Sequence, residues 1–172
     1  MSFAQLPTLE IVRIVLASAV MLAGVADDLR SRKFHNWLFL TCVGLGLVAV
    51  IAIDGISGLH LSLLGFLLGF VVLLPFVLLK MIGAGDMKLL AAFGLIAGTA
   101  AVLPVILYGF VWGAIFGVFR VVGNGQGRSL VNNLFSIVML RQRQGLELHR
   151  MPFTVGLMMG WVTYLTLRSF AS

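Results

Sequence analysis

Six carboxylates are spread over the 172 residues, at Glu10, Asp27, Asp28, Asp54, Asp86 and Glu147. Asp27 and Asp28 close one apolar run, and Asp86 opens another. An acid at the edge of a lipid-facing segment loses hydration, so its presence calls for a partner or a task. Two such acids brought together can activate water: one takes its proton while the other polarises a carbonyl group. Like-charge proximity raises one of the two pKa values, burial adds to it, and the titration belongs to the pair. This chemistry needs no metal and no cofactor, and neither is expected. No Ser-His-Asp set or HExxH segment competes. The alternative is simple neutralisation, with Asp27 or Asp28 facing Arg30 or Arg32 and Asp86 facing Lys80 or Lys88. Spacing alone leaves these readings even. Asp54, next to Gly55, reads as a turn residue, and Glu10 and Glu147 read as solvated.

Local context separates the acids further. Asp86 stands in Gly83-Ala84-Gly85-Asp86-Met87-Lys88-Leu89-Leu90. Two glycines ahead of a carboxylate remove bulk, so an extended peptide can approach it closely. Lys88 lies two positions beyond Asp86, which on a helix points it to a different side and disfavours direct pairing. The other acids lead into Asp28-Leu29-Arg30-Ser31-Arg32-Lys33-Phe34-His35-Asn36-Trp37. His35 reads as an interfacial loop residue, the alternative being a hydrogen bond to a nearby carboxylate.

The elements that must position these acids are apolar helices. Hydrophobic residues make up 60% of the chain and charged ones 10%, with a mean hydropathy of +1.10. A water-soluble domain needs more charge than this. Six spans are predicted: Leu9–Ala26, Trp37–Ile53, Leu59–Leu79, a short Met87–Ala97, Ala101–Val122 and Pro152–Leu167. Together they make a single all-α, polytopic membrane domain over residues 1–172. The region 89–119 is read as two helices broken at Gly98 and Thr99, because a single span would put basic segments on opposite sides. Glycines at four-residue spacing, such as Gly65 and Gly69, predict close helix contact.

The net charge is +6, but ten of the twelve Lys and Arg residues fall in the segments 28–36, 80–88 and 120–150. This alternation marks cytoplasmic loops and places both termini outside. Nucleic-acid binding is excluded, because no aromatic interleaving or binding module accompanies the bases. The first span reads as retained rather than as a signal peptide, since its positive cluster follows the apolar core. Ser129 to about Leu140 predicts an amphipathic helix along the interface before the last span. Cys42, the single cysteine, reads as a small buried residue.

The GxGD segment followed by Met-Lys-Leu-Leu, placed between spans three and four and paired with a second Asp motif, resembles the type IV prepilin peptidase family of membrane aspartyl proteases. In that family the first catalytic Asp ends a helix, followed by a basic or polar stretch, a hydrophobic residue, Pro, and Asn or Asp. Counting back from Asn36, the resemblance selects Asp28, with Asp27 as the fallback. His35 stands where the family usually has Pro. Met151-Pro152-Phe153 opening the last span, with Gly160 beyond it, is a weaker match.

The resemblance implies an Asp28/Asp86 dyad, with Gly83, Gly85, Lys88, Asn36 and Pro152 as cleft or motif positions. It implies cleavage of prepilins or pseudopilins carrying a short basic leader, at the cytoplasmic face of a bacterial inner membrane. The larger members' segment with paired cysteines is absent, as in the short Flp/Tad-pilus form, so N-methyltransferase activity is not expected. Two other readings remain: an inactive membrane component of a pilus or secretion machine, and a small proton-coupled carrier. A carrier predicts acids near mid-bilayer.

Overall fold

The computed structural model describes residues 8–31, 34–123 and 153–171. Among these residues every regular element is a helix: α1 (Thr8–Ser31), α2 (Asn36–Leu78), α3 (Ala84–Ala97), α4 (Thr99–Gly123) and α5 (Phe153–Ala171). The amphipathic segment 129–140 and Pro152 lie outside the described residues.

α2 is continuous for 43 residues except at Gly55, which has φ 68° and ψ −170°. This left-handed φ is open to glycine without the penalty that a Cβ would bring. There the helix folds back on itself. Phe39 and Phe66 have ring centroids 6.3 Å apart, whereas a straight helix would separate them by about 40 Å. The first half runs alongside α3, since Asn36 meets Lys88 and Gly46 abuts Leu95 and Ile96. The second half runs against it, with Gly65 on Gly94 and Gly69 on Leu90.

α3 is the centre of the bundle. Asp86, Met87 and every residue from Leu89 to Ile96 are buried. A Cβ on Gly65 would lie 2.2 Å from the Gly94 carbonyl oxygen, so the predicted close helix contact is made backbone to backbone. Gly98, at φ 80°, ends α3, and α4 begins at Thr99, which gives two helices over 89–119. α5 then packs antiparallel on α4, where a Cβ on Gly160 would meet the Val105 carbonyl at 2.5 Å. Trp161 of α5 stacks edge-on to Phe93 at 5.0 Å and donates its indole N–H to Ser18 of α1 at 2.9 Å.

The outward faces are apolar: Leu40, Leu45, Val48, Leu64, Leu67, Leu107 and Val111 are all exposed. A surface so rich in large apolar side chains matches lipid, not water. Three helices are long and apolar enough to cross a membrane: Thr8–Ser31, Asn36–Leu78 and the Thr99–Phe119 part of α4. That is fewer than the six spans expected. α3 has 14 residues, about 21 Å against a hydrocarbon core of about 30 Å. α5 is interrupted by Thr154, Thr163, Thr166 and Arg168. α2 counts as one helix although it doubles back.

Candidate active site

α3 starts at a polar end of the bundle, ahead of its apolar stretch. Gly83 is its N-cap, in an extended conformation, and Asp86 follows three residues later. The first N–H groups of a helix lack intrahelical acceptors, so an acid in the first turn is favoured. The Asp86 carboxylate reaches back and accepts the Gly83 N–H through Oδ2 at 3.2 Å. A Cβ on Gly83 would lie 3.2 Å from that oxygen, so a side chain here would press on the carboxylate.

Gly85 has a different role from the one predicted. Its missing side chain makes room for the chain itself: a Cβ there would sit 2.8 Å from Phe34 Cβ and 3.3 Å from the Phe34 nitrogen. Phe34 is 8% exposed and joins the core. The segment between α1 and α2 thus docks onto the start of α3, and the space beside Gly85 is already filled.

Asp28, near the C-terminus of α1, is half-buried. Its Oδ2 accepts the Thr154 hydroxyl at 2.8 Å. Thr154, in the first turn of α5, is 1% exposed. Asp86 is buried too, at 8%. Its pKa is pushed up from the ordinary 3.8 to about 7, first by burial and then by the negative charge of Asp28. The main-chain N–H groups of Gly83 and Thr154 favour the ionised form and oppose that rise. The ends of α1, α3 and α5 therefore converge on two carboxylates that share Thr154 as a neighbour.

The flanking residues are occupied otherwise. Asp27 takes the His35 main-chain N–H at 2.9 Å, and His35 Nδ1 lies 2.9 Å from its Oδ1. This is the hydrogen-bonding alternative for His35 rather than an uninvolved loop position, and it engages both oxygens of Asp27. Lys88 donates to Asn36 Oδ1 at 2.6 Å, tying α3 to the start of α2. Among the described residues no ion pair joins Asp28 or Asp86 to Arg30, Lys80 or Lys88. Nor is any group of three or more His, Cys, Asp or Glu among those residues arranged to hold a metal ion.

Thr154 is the residue that sequence reasoning missed. Its only signal was adjacency to Met151-Pro152-Phe153, and a threonine entering an apolar helix ordinarily satisfies its own backbone.

The sequence profile described as the type IV leader peptidase family matches residues 14–118, which cover most of α1 through α4 and include Asp28 and Asp86. Among curated proteins and among solved structures, nothing matches the chain.

Proposed function

The chain belongs to the type IV leader peptidase family, and from that premise we propose that it is an aspartyl endopeptidase removing the short basic leader of prepilins or pseudopilins. The observation that carries the reading is a buried acid, Asp86, with its pKa raised to about 7 beside a second carboxylate, Asp28. In this scheme Asp86 holds the proton and donates a hydrogen bond to the scissile carbonyl oxygen. Asp28, charged and held by Thr154, takes a proton from a water molecule placed between the two. The water oxygen attacks the carbonyl carbon, and the tetrahedral species collapses as a proton passes to the leaving amine. Titration belongs to the pair, since each charge alters the other.

Both acids lie at helix ends, the depth at which a cut beside a transmembrane segment must occur. The site faces the cytoplasm in this proposal, with both termini outside, because Lys and Arg concentrate in the segments 28–36, 80–88 and 120–150. The doubled-back α2, the central α3 and α5 then complete six passes, α3 being sheltered from lipid by its neighbours. The substrate carries a basic leader, a Gly before the cut and an apolar helix after it. Gly83 opens the approach to Asp86, while Asn36 and Lys88 fix the wall behind it. The short Flp/Tad-pilus form is the branch this chain fits, without methyltransferase activity.

The test is incubation of the purified chain with such a precursor, followed by intact mass of the product. The parent is expected to release the leader, and Asp86→Asn is expected to lower the rate by about 10²–10⁴-fold while the protein stays folded. Leader removal by Asp86→Asn at the parent rate would overturn the assignment.

A further inference from the structure

One residue touches the site from a helix that the family match does not reach. Thr154 follows Phe153 at the start of α5, beyond the matched residues 14–118. Its hydroxyl has a choice of partners. In an apolar helix a threonine usually donates to a carbonyl one turn back, as Thr163 does to Met159 and Thr166 to Val162. Thr154 stands at the first turn and donates across the bundle to Asp28 Oδ2 at 2.8 Å. With 1% of its surface exposed, it has no water to exchange for that bond. Two residues on along α5, Gly156 packs backbone to backbone on Gly109 of α4. The donor is therefore buried beside a tight α4–α5 contact, whereas Asp28 is only half-buried, three residues before the end of α1.

We propose that Thr154 is a positioning residue of the dyad, whose hydroxyl holds Asp28 in the one orientation that turns its other oxygen towards the water shared with Asp86. The inference rests on the peptidase reading above and assigns a task within it. A hydroxyl suits this task better than a base. An Arg or Lys at 154 would neutralise Asp28 and weaken it as a proton acceptor, while Thr donates a hydrogen bond and leaves the charge in place. The Thr154 main-chain N–H turned towards Asp86 adds a second tie between α5 and the dyad. A shift of α5 would thus disturb both acids together.

The experiment compares Thr154→Val, Thr154→Ser, Asp86→Asn and the parent, all full length in detergent. The substrate is a precursor with a basic leader, a Gly before the cut and an apolar helix. Val keeps the shape and loses the hydroxyl; Ser keeps the hydroxyl and loses a methyl. Thr154→Val is expected to lower kcat about 10- to 100-fold with KM within about twofold of the parent, because orientation and not substrate binding is lost. Thr154→Ser is expected to retain most of the parent kcat. A Val variant as fast as the parent would overturn the inference, and so would a Ser variant as slow as Val. Should Val fail to fold, the Ser variant still decides, since a methyl-packing role predicts that Ser falls as well. An active Asp86→Asn would instead sink the peptidase reading itself, so the two failures are distinguishable.

Discussion

The two ends of the helix bundle handle their acids in opposite ways. At the end holding the start of α1 and the close of α5, Glu10 pairs with Arg168 and Asp54 pairs with Arg13. A cavity of about 510 Å³ opens there, lined by Arg13, Asp54, Ser57, Ser62 and Thr99 among others. Each acid has an arginine, so each charge is cancelled where it stands. At the opposite end, among the described residues, Asp28 and Asp86 have a hydroxyl and main-chain N–H groups as partners. Lysine is at hand, yet Lys88 is engaged by Asn36. Drawing an acid out of water carries a cost at either end, most of all for Asp86. One end meets it by charge pairing, which silences the carboxylate. The other meets it by keeping a proton, which leaves the carboxylate reactive.

The first way to sharpen this contrast is pH. Asp86, raised to about 7, serves as the acid only while protonated. Cleavage by the parent should therefore fall as pH rises through about 7, approaching tenfold per unit and so about 100-fold by two units above. Stability follows the same sign. The contribution of a raised carboxyl is fully present below its ordinary 3.8 and is lost as pH rises through about 7. Asp86→Asn should remove that loss, so the variant melts higher than the parent at pH 8 and loses the advantage at acid pH.

The second way is to break the charge-paired end. Asp54→Ala leaves Arg13 half-buried without its carboxylate and should cost about 1–3 kcal/mol of stability. Thermal unfolding in detergent would read this, with leader removal unchanged below the melting point. A loss of cleavage in the folded variant would mean that the two ends are coupled.

A smaller effect separates the two glycines of the GxGD segment. Gly85→Ala forces Phe34 aside and should cost about 1–2 kcal/mol in stability. Gly83→Ala meets only the Asp86 carboxylate, at 3.2 Å, and should change the cleavage rate more than the melting point. Measuring both quantities for both variants checks the assignment.

Part of this arrangement was legible in the residues. Asp27, Asp28 and Asp86 stood out because acids are scarce in so apolar a chain, the resemblance preferred Asp28 over Asp27, and the break at Gly98 was predicted from loop charge. The depth of each helix was not legible. α3 is too short to span alone, and its place at the centre depends on backbone contacts in which Gly65 and Gly69 meet Gly94 and Leu90, partners that the glycine spacing does not name. The pairing of Arg13 with Asp54 joins residues 41 apart in sequence, so Asp54 read as a turn acid and Glu10 as solvated. Gly85 was taken for substrate space because the sequence cannot show that Phe34 returns to fill it. Thr154 lies 126 residues from Asp28, and only the fold brings them together.

The central claim is that Asp28 and Asp86 feel each other's charge at one site, and infrared titration of the protonated carboxyl band reads this directly. In the parent that band should disappear near pH 7, and Asp86→Asn should abolish it. Asp28→Asn, which removes the neighbouring charge, should move its disappearance to lower pH. A band that titrates at the same pH with and without the Asp28 carboxylate would contradict the account.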